Sequence, residues 1–272
     1  MQTLTLGFSP CPNDTFIFDA LVHGRLGGDY RFETVIKDVE ELNQMARQSL
    51  LQVSKASIHA FFHLQNRYQL LRSGAALGRG CGPLWIGKSG SKPKGGKVAL
   101  PGAWTTASLL FKLANAGEFE PVQMVFSEII PAILSGEVDS GVIIHESRFT
   151  YQNNGLNAYL DLGDWWEKET GKPIPLGGIM VRRDLAQSDK LAIEGLIADS
   201  IRYAKTHLSD ARPYIEAHAQ EMASEVIDQH IGLYVNDFSI NLGTEGLEAI
   251  EELASRARLK GLIQEEKEEL FV

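Results

Sequence analysis

The sequence predicts an α/β protein built as two lobes around a central cleft. Two observations carry that expectation. Short apolar strand-like runs alternate with helical ones from the first residues onward, and the alternation pauses in a Gly-, Ser-, Pro- and Lys-rich stretch at Lys88–Lys97 before starting again. Before the pause, Leu4–Phe8 reads as a strand, Asp14–His23 as a helix, Tyr30–Lys37 as a strand and Val39–Leu50 as a helix. Leu51–Ser54, Ile58–Arg67 and Tyr68–Leu71 continue as strand, helix and strand, which argues for a mostly parallel sheet, and Pro83–Gly87 closes this half. Lys88–Lys97 has the composition of a hinge. Beyond it, Val98–Leu100, Val122–Phe126 and Gly141–Ile144 read as strands, separated by helices at Thr105–Ala116 and Glu128–Ser135. Leu176–Val181 looks like a strand returning to the first lobe. Asp184 opens a long helix with apolar positions at Leu191, Leu196, Ile197, Ile201 and Ala204, and Leu247, Ile250, Leu253, Ala254 and Ala257 share one face of a later helix. The expected lobes are therefore residues 1–90 with 181–272, and residues 91–180.

Composition narrows the function. The chain of 272 residues is 44% hydrophobic and 22% charged, as globular proteins are. Its 26 Lys and Arg stand against 35 Asp and Glu, a net charge of −9, so a broad cationic footprint is missing and nucleic acid is not an expected partner. A small anion is still within reach, because helix N-termini and one or two local cations act over a few ångströms whatever the total charge. Met1–Phe8 runs straight into a strand pattern without the features of a secretory leader, and no apolar run approaches the roughly 20 residues that a membrane helix requires. Cys11 and Cys81 form no Cys-x-x-Cys pair, so a reducing cytoplasm is the expected setting. Homodimerisation is left open.

In open parallel sheets ligands sit beyond the carboxyl ends of the strands, which directs attention to four segments. Ser9-Pro10-Cys11-Pro12-Asn13-Asp14-Thr15 follows the first strand, with Asn13 or Asp14 placed to cap the next helix; a good cap explains it as well as a ligand does. Lys55-Ala56-Ser57 follows the third strand, and a lysine beside a capping hydroxyl suits a carboxylate, although a surface Lys beside a structural cap reads the same way. Pro101-Gly102-Ala103-Trp104-Thr105-Thr106 repeats the arrangement, and paired threonines exceed what capping needs: one caps while the other faces the cleft. The fourth segment is Gly141-Val142-Ile143-Ile144-His145-Glu146-Ser147-Arg148, a buried-strand run that ends abruptly in polar groups. A histidine at that rim, with an ordinary pKa of about 6.5, accepts a proton near neutrality without a large shift; the alternative is a ring that only bonds a neighbouring loop. Arg148 pairs either with Glu146 or with a ligand carboxylate.

Other patterns are set aside. Gly82–Ser89 matches G-x-x-x-x-G-K-S, but its intervening residues are bulky and strand-like and no helix can open in Gly90–Gly96. His59 and His63 stand at i and i+4, without the Glu of H-E-x-x-H or an evident third ligand, so no metal is expected. Trp165 and Trp166 read as packing. Cys11 sits at a helix start that lowers thiol pKa values, with no base beside it in sequence to make it a nucleophile.

Three segments together carry a family resemblance. Leu6-Gly7-Phe8-Ser9-Pro10-Cys11-Pro12-Asn13-Asp14-Thr15-Phe16, Leu71-Arg72-Ser73-Gly74 with Ala76-Leu77-Gly78-Arg79-Gly80, and Ile144-His145-Glu146-Ser147-Arg148-Phe149-Thr150-Tyr151 resemble the 1,4-dihydroxy-6-naphthoate synthases of the futalosine route to menaquinone. The likeness runs through Tyr234-Val235-Asn236 to the final Leu270-Phe271-Val272. It implies a fold similar to type II periplasmic solute-binding proteins, used as a cytoplasmic lyase that takes a small carboxylate, cyclic dehypoxanthinyl futalosine, without metal or organic cofactor. It also implies His145 as proton acceptor, with substrate contacts on Lys55, Ala56 and Ser57 and on Thr105 and Thr106; Ser9, Asn13 and Arg148 complete the candidate set. A non-catalytic anion-binding or sensing protein, and a chorismate dehydratase of the same pathway and fold, are the competing expectations.

Overall fold

The computed structural model describes residues 1–88, 93–114, 117–145, 147–219, 223–264 and 268–272. The chain opens with β1 (Gln2–Phe8), α1 (Pro12–Val22), β2 (Tyr30–Ile36), α2 (Val39–Arg47), β3 (Val53–Ser57), α3 (Ile58–Phe62), β4 (Tyr68–Leu70) and β5 (Ala76–Gly78). It continues through β6 (Leu84–Gly87), β7 (Gly95–Leu100), α4 (Thr106–Ala114), β8 (Glu118–Gln123), α5 (Phe126–Ser135), β9 (Ser140–Ile143), α6 (Ser147–Thr150), β10 (Asn157–Asp161) and α7 (Leu162–Thr170). It returns through β11 (Ile174–Arg182) and ends in α8 (Gln187–Thr206), α9 (Leu208–His218), α10 (Ser224–Tyr234), α11 (Asp237–Ile240) and α12 (Gly243–Leu259).

Two sheets result. In the first the order is β2-β1-β3-β11-β4, with β5 also on β11; β1 is parallel to β2 and β3, and β11 runs antiparallel to its neighbours. In the second the order is β10-β6-β9-β7-β8, parallel around β7 and antiparallel around β6. Both sheets are thus mixed, where a mostly parallel pattern was expected. The strand expected to close the first half, Leu84–Gly87, is β6 of the second sheet, paired with β9 and β10. Lys88–Lys97 does not divide the sheets either: Gly87 and Gly95 both belong to the second one, and residues 89–92 lie outside the described residues. The chain changes sheet between β5 and β6, and again between α7 and β11.

Local chemistry fixes the elements. Leu4, Leu6 and Phe8 alternate along β1 and are fully buried, the period of two that places one strand face in a core. Asp38 caps α2 by accepting from the Glu40 N–H at 2.9 Å, and Asp161 caps α7 by accepting from the N–H groups of Gly163 and Asp164. Gly136 ends α5 at φ +83°, a left-handed turn that glycine takes without strain. The long helix begins at Gln187 rather than Asp184. Its buried stripe holds Ile193, Ile197, Ile201 and Ala204, with Leu191 left exposed. One cluster covers the outer face of the first sheet with α1, α8 and α9, and another covers the second sheet with α5. A third joins them, bringing α3 and α12 against β6, β7, α4 and α7 in a single apolar mass. No helix among the described residues is long and apolar enough to cross a membrane.

Candidate active site

A cleft with about 670 Å³ of empty space, partly open to solvent, lies where the two sheets meet. Ser9, Asn13, Lys55 and Ser57 line it from the first-sheet side, and Thr105, Thr106 and His145 from the second. Seven of the eight residues singled out for polar contacts therefore converge, and Ala56 lies among them. Arg148 does not. Its guanidinium donates to the Gly82 carbonyl and pairs with Asp161 at 2.7 Å, so it braces the joint between β6 and β10 instead of meeting a ligand. Glu146, its other expected partner, lies outside the described residues.

The deepest part is built on Asp14. The carboxylate is 1% exposed and accepts from Lys55 Nζ and Asn13 Nδ2 on Oδ1, both at 2.9 Å, and from the Ser9 N–H and hydroxyl on Oδ2. Two buried charges meet their partners in this way, since either alone in the interior would be strongly unfavourable. Neither Asn13 nor Asp14 caps α1: Cys11 occupies the N-cap without a side-chain capping bond, Pro12 fills the first turn, and the Asn13 and Asp14 side chains form this network instead. Lys55, Ala56 and Ser57 lie inside β3 rather than after it, paired with Ile179, Gly178 and Gly177 of β11. Lys55 spends one N–H on Asp14 and one, at 3.4 Å, on the Gly74 carbonyl; an ammonium has three.

The hydroxyls divide their work. Ser57 does not cap α3; Asn43 holds it through both its N–H and its Oγ, and the hydroxyl hydrogen has no acceptor among the described residues. Thr105 accepts from the Ser108 N–H, as a cap does. Thr106 lines the cleft, and its hydroxyl donates to the Leu176 carbonyl at 2.6 Å and accepts from the His59 N–H, tying α4 to β11 and α3. What α4 still presents to the cleft is the run of N–H groups that every helix start leaves without intrahelical partners.

His145 follows β9 with φ +56°, a left-handed conformation that a non-glycine residue seldom adopts. Its Nδ1 is 3.4 Å from Cys11 Sγ, and its ring meets Phe126 edge to face at 4.9 Å between centroids. The other sheet thus brings an imidazole beside Cys11 that is 134 positions away in sequence. Facing it at 6.5 Å is His230 of α10, 1% exposed and lining the cleft with Tyr234. His230 escaped sequence reasoning, although Ile227, His230 and Tyr234 share the buried stripe of one helix and a polar residue on such a stripe is a signal. Burial, then the neighbouring His145 and Lys55, hold the His230 pKa down at about 3. The Tyr234 phenol is pushed up by burial, and the Cys81 thiol is pushed up to about 12 by the same cause. His59 and His63 face each other, Nε2 to Nε2 at 3.2 Å, and no group of three His, Cys, Asp or Glu side chains converges among the described residues.

Two mixed sheets enclosing a polar cleft define the class, and known proteins agree. A Candida albicans protein described as having the generic periplasmic binding protein fold superposes with a TM-score of 0.69 at 14% identity, over 98% of this chain and 92% of that one. A crystal structure from Archaeoglobus fulgidus, AF1704, is far nearer: TM-score 0.92 at 36% identity, covering 96% of this chain and 98% of that one. The family described as "Menaquinone biosynthesis" matches residues 4–259, and the chain belongs to that family. Two relatives named 1,4-dihydroxy-6-naphthoate synthase share its length: one from Thermus thermophilus is 46% identical over all of both chains, and one from Streptomyces coelicolor is 45% identical over 96% of this chain and 95% of its own. The chain is thereby an enzyme of menaquinone biosynthesis with a small-molecule substrate.

Proposed function

We propose that this enzyme converts cyclic dehypoxanthinyl futalosine to 1,4-dihydroxy-6-naphthoate with release of a dihydroxyacetone fragment, a carbon–carbon lyase step in which His145 is the proton acceptor. The observation that carries the reading is the full-length likeness to two synthases in a chain whose second sheet delivers His145 into a cleft walled by the first. His145 takes a hydroxyl proton, the alkoxide collapses with cleavage of the carbon–carbon bond, and a further proton loss aromatises the ring. For Nε2 to be the accepting atom, Nδ1 carries the other proton and donates to Cys11 Sγ, a contact that orients the ring. The substrate carboxylate lies against the Ser57 hydroxyl, the remaining Lys55 N–H and the first turn of α4, three donors at the join of the sheets. Since Asp14 already neutralises Lys55, hydrogen bonds rather than net charge hold that carboxylate.

We place the lobe limits at the two sheet crossings, in the 79–83 and 171–173 segments, and the reaction in the cytoplasm, where thiols such as Cys81 stay reduced. Purified protein incubated with the cyclic futalosine derivative should generate naphthoate absorbance, and chorismate should be left unchanged. His145→Ala should lose on the order of 10²-fold or more in turnover while retaining product binding. Near-normal turnover by that variant removes His145 from the chemistry, and failure of the wild-type protein to form naphthoate removes the reaction.

A further inference from the structure

His230 combines three features. It lines the cleft opposite His145, it is 1% exposed, and its Nδ1 is the one buried polar side-chain atom among the described cleft residues that has no hydrogen-bond partner. A buried acceptor left unpaired loses about 1–3 kcal/mol, and where it borders a ligand cleft the ligand is the natural partner.

The neighbouring bonds decide which nitrogen carries the proton. Asp14 receives Lys55 and the Ser9 N–H, so it is an ionised acceptor on both oxygens. Asn13 lies 2.9 Å from Asp14 Oδ1 and must turn its amide nitrogen that way, because its carbonyl there would face a second acceptor. That leaves Asn13 Oδ1 facing His230 Nε2 at 2.9 Å, and an oxygen acceptor requires the hydrogen to be on Nε2. With Nε2 protonated and the ring uncharged, Nδ1 is a bare lone pair. Burial and the nearby Lys55 and His145 oppose a second proton on the ring.

We propose that His230 is a substrate-contacting residue, locked as the Nε2–H tautomer by the chain Lys55–Asp14–Asn13, that receives a ligand hydroxyl on Nδ1. The inference rests on the proposed reaction and adds the chemistry this wall selects. A lone-pair acceptor in a neutral ring favours an O–H donor and rejects a carboxylate oxygen, so the carboxylate binds at the Ser57 and α4 end and a hydroxyl end faces His230. His145 and His230 then differ in role although both are imidazoles: one moves a proton in the proposed reaction, and the other stays neutral and orients.

Two variants and one spectroscopic measurement test this. His230→Gln keeps an N–H for Asn13 and takes the acceptor away from the Nδ1 position, whereas His230→Asn keeps an acceptor near Nδ1 and gives up the bond to Asn13. His230→Gln should raise KM about tenfold, the loss of one hydrogen bond, with the acid limb of the kcat/KM profile where the wild type has it; His230→Asn should disturb KM less and thermal stability more. Nitrogen NMR of the ligand-free wild type should show a protonated Nε2 and a bare Nδ1 from about pH 5 to 8, with only the Nδ1 resonance moving when 1,4-dihydroxy-6-naphthoate is added. A wild-type KM in His230→Gln, a proton on Nδ1 in the free protein, or an Nδ1 resonance indifferent to naphthoate each overturns the assignment. Should the wild type fail to turn over the futalosine derivative, the reaction falls, and the NMR titration with naphthoate still decides the contact.

Discussion

Acid should unfold this protein through two histidines. His59 and His230 are 3% and 1% exposed, and burial lowers the pKa of each to about 3. In the unfolded chain both titrate near 6.5, so between about pH 6.5 and 3 the unfolded state binds more protons than the native one, and stability falls as the pH falls. Above pH 6.5 both states are neutral and the contribution is complete. At pH 5 each histidine is about 1.5 units below its unfolded pKa and still neutral in the fold, which costs about 2 kcal/mol, or about 4 kcal/mol for the pair. Set against a typical total of about 5–15 kcal/mol, that is a large share, equivalent to a fall in Tm of about 10 °C for a chain of this size. Urea denaturation at pH 7.5, 6 and 5 reads the effect directly, as a slope of about 1.4 kcal/mol per pH unit for each proton taken up on unfolding. His59→Gln and His230→Gln should each remove about one proton from that slope, which subtracts whatever the carboxylates contribute in common. Unchanged slopes in both variants, or a native-state titration of either ring near pH 6.5, would refute the reasoning.

Other perturbations address the frame of the cleft. Lys55→Met strands the Asp14 carboxylate in the interior and should lower stability by about 3–5 kcal/mol in chemical denaturation, with Asp14→Asn added to it restoring part of the loss; equal stability of the single and double variants contradicts the pairing. A Cβ on Gly82 would stand 2.2 Å from the Gly163 backbone nitrogen, so Gly82→Ala should cost about 3 kcal/mol in a thermal melt, and a wild-type Tm would show that the two backbones can separate freely. Thr106→Val leaves the His59 N–H and the Leu176 carbonyl without their partner and should lose about 1–3 kcal/mol, read by calorimetry; an unaffected melt would mean water replaces both bonds.

Much of the frame was legible because it is written locally. Leu4, Leu6 and Phe8 alternate with the period of a strand, Ile250, Leu253, Ala254 and Ala257 repeat with that of a helix, and each pattern needs no knowledge of the rest of the chain. The convergence of seven candidate contacts on one cleft followed from a rule about strand ends, and His145 stood out because an apolar run broke off in polar residues. The offset of β3, which puts Lys55, Ala56 and Ser57 inside the strand, is the ordinary uncertainty of an element boundary.

Partnership was not legible. Leu84–Gly87 reads as a buried strand in either sheet, and only the pairing with β9 and β10 assigns it to the second. Arg148 has Asp161 as its partner, Lys55 has Asp14, and Thr106 has Leu176, choices made between residues from 13 to 70 positions apart. His230 reached the site from a helix that the sequence marks only as amphipathic, 217 positions from the Asn13 that fixes its tautomer. The sequence by itself determined the periodicities, the charge balance, the α/β class and a histidine at a strand end, because these depend on neighbours along the chain. The tertiary structure alone decided which buried charges neutralise each other, which hydroxyls are spent on the scaffold and which imidazole is left with an open lone pair, because hydrogen bonds and ion pairs act over a few ångströms of space and are indifferent to distance in sequence.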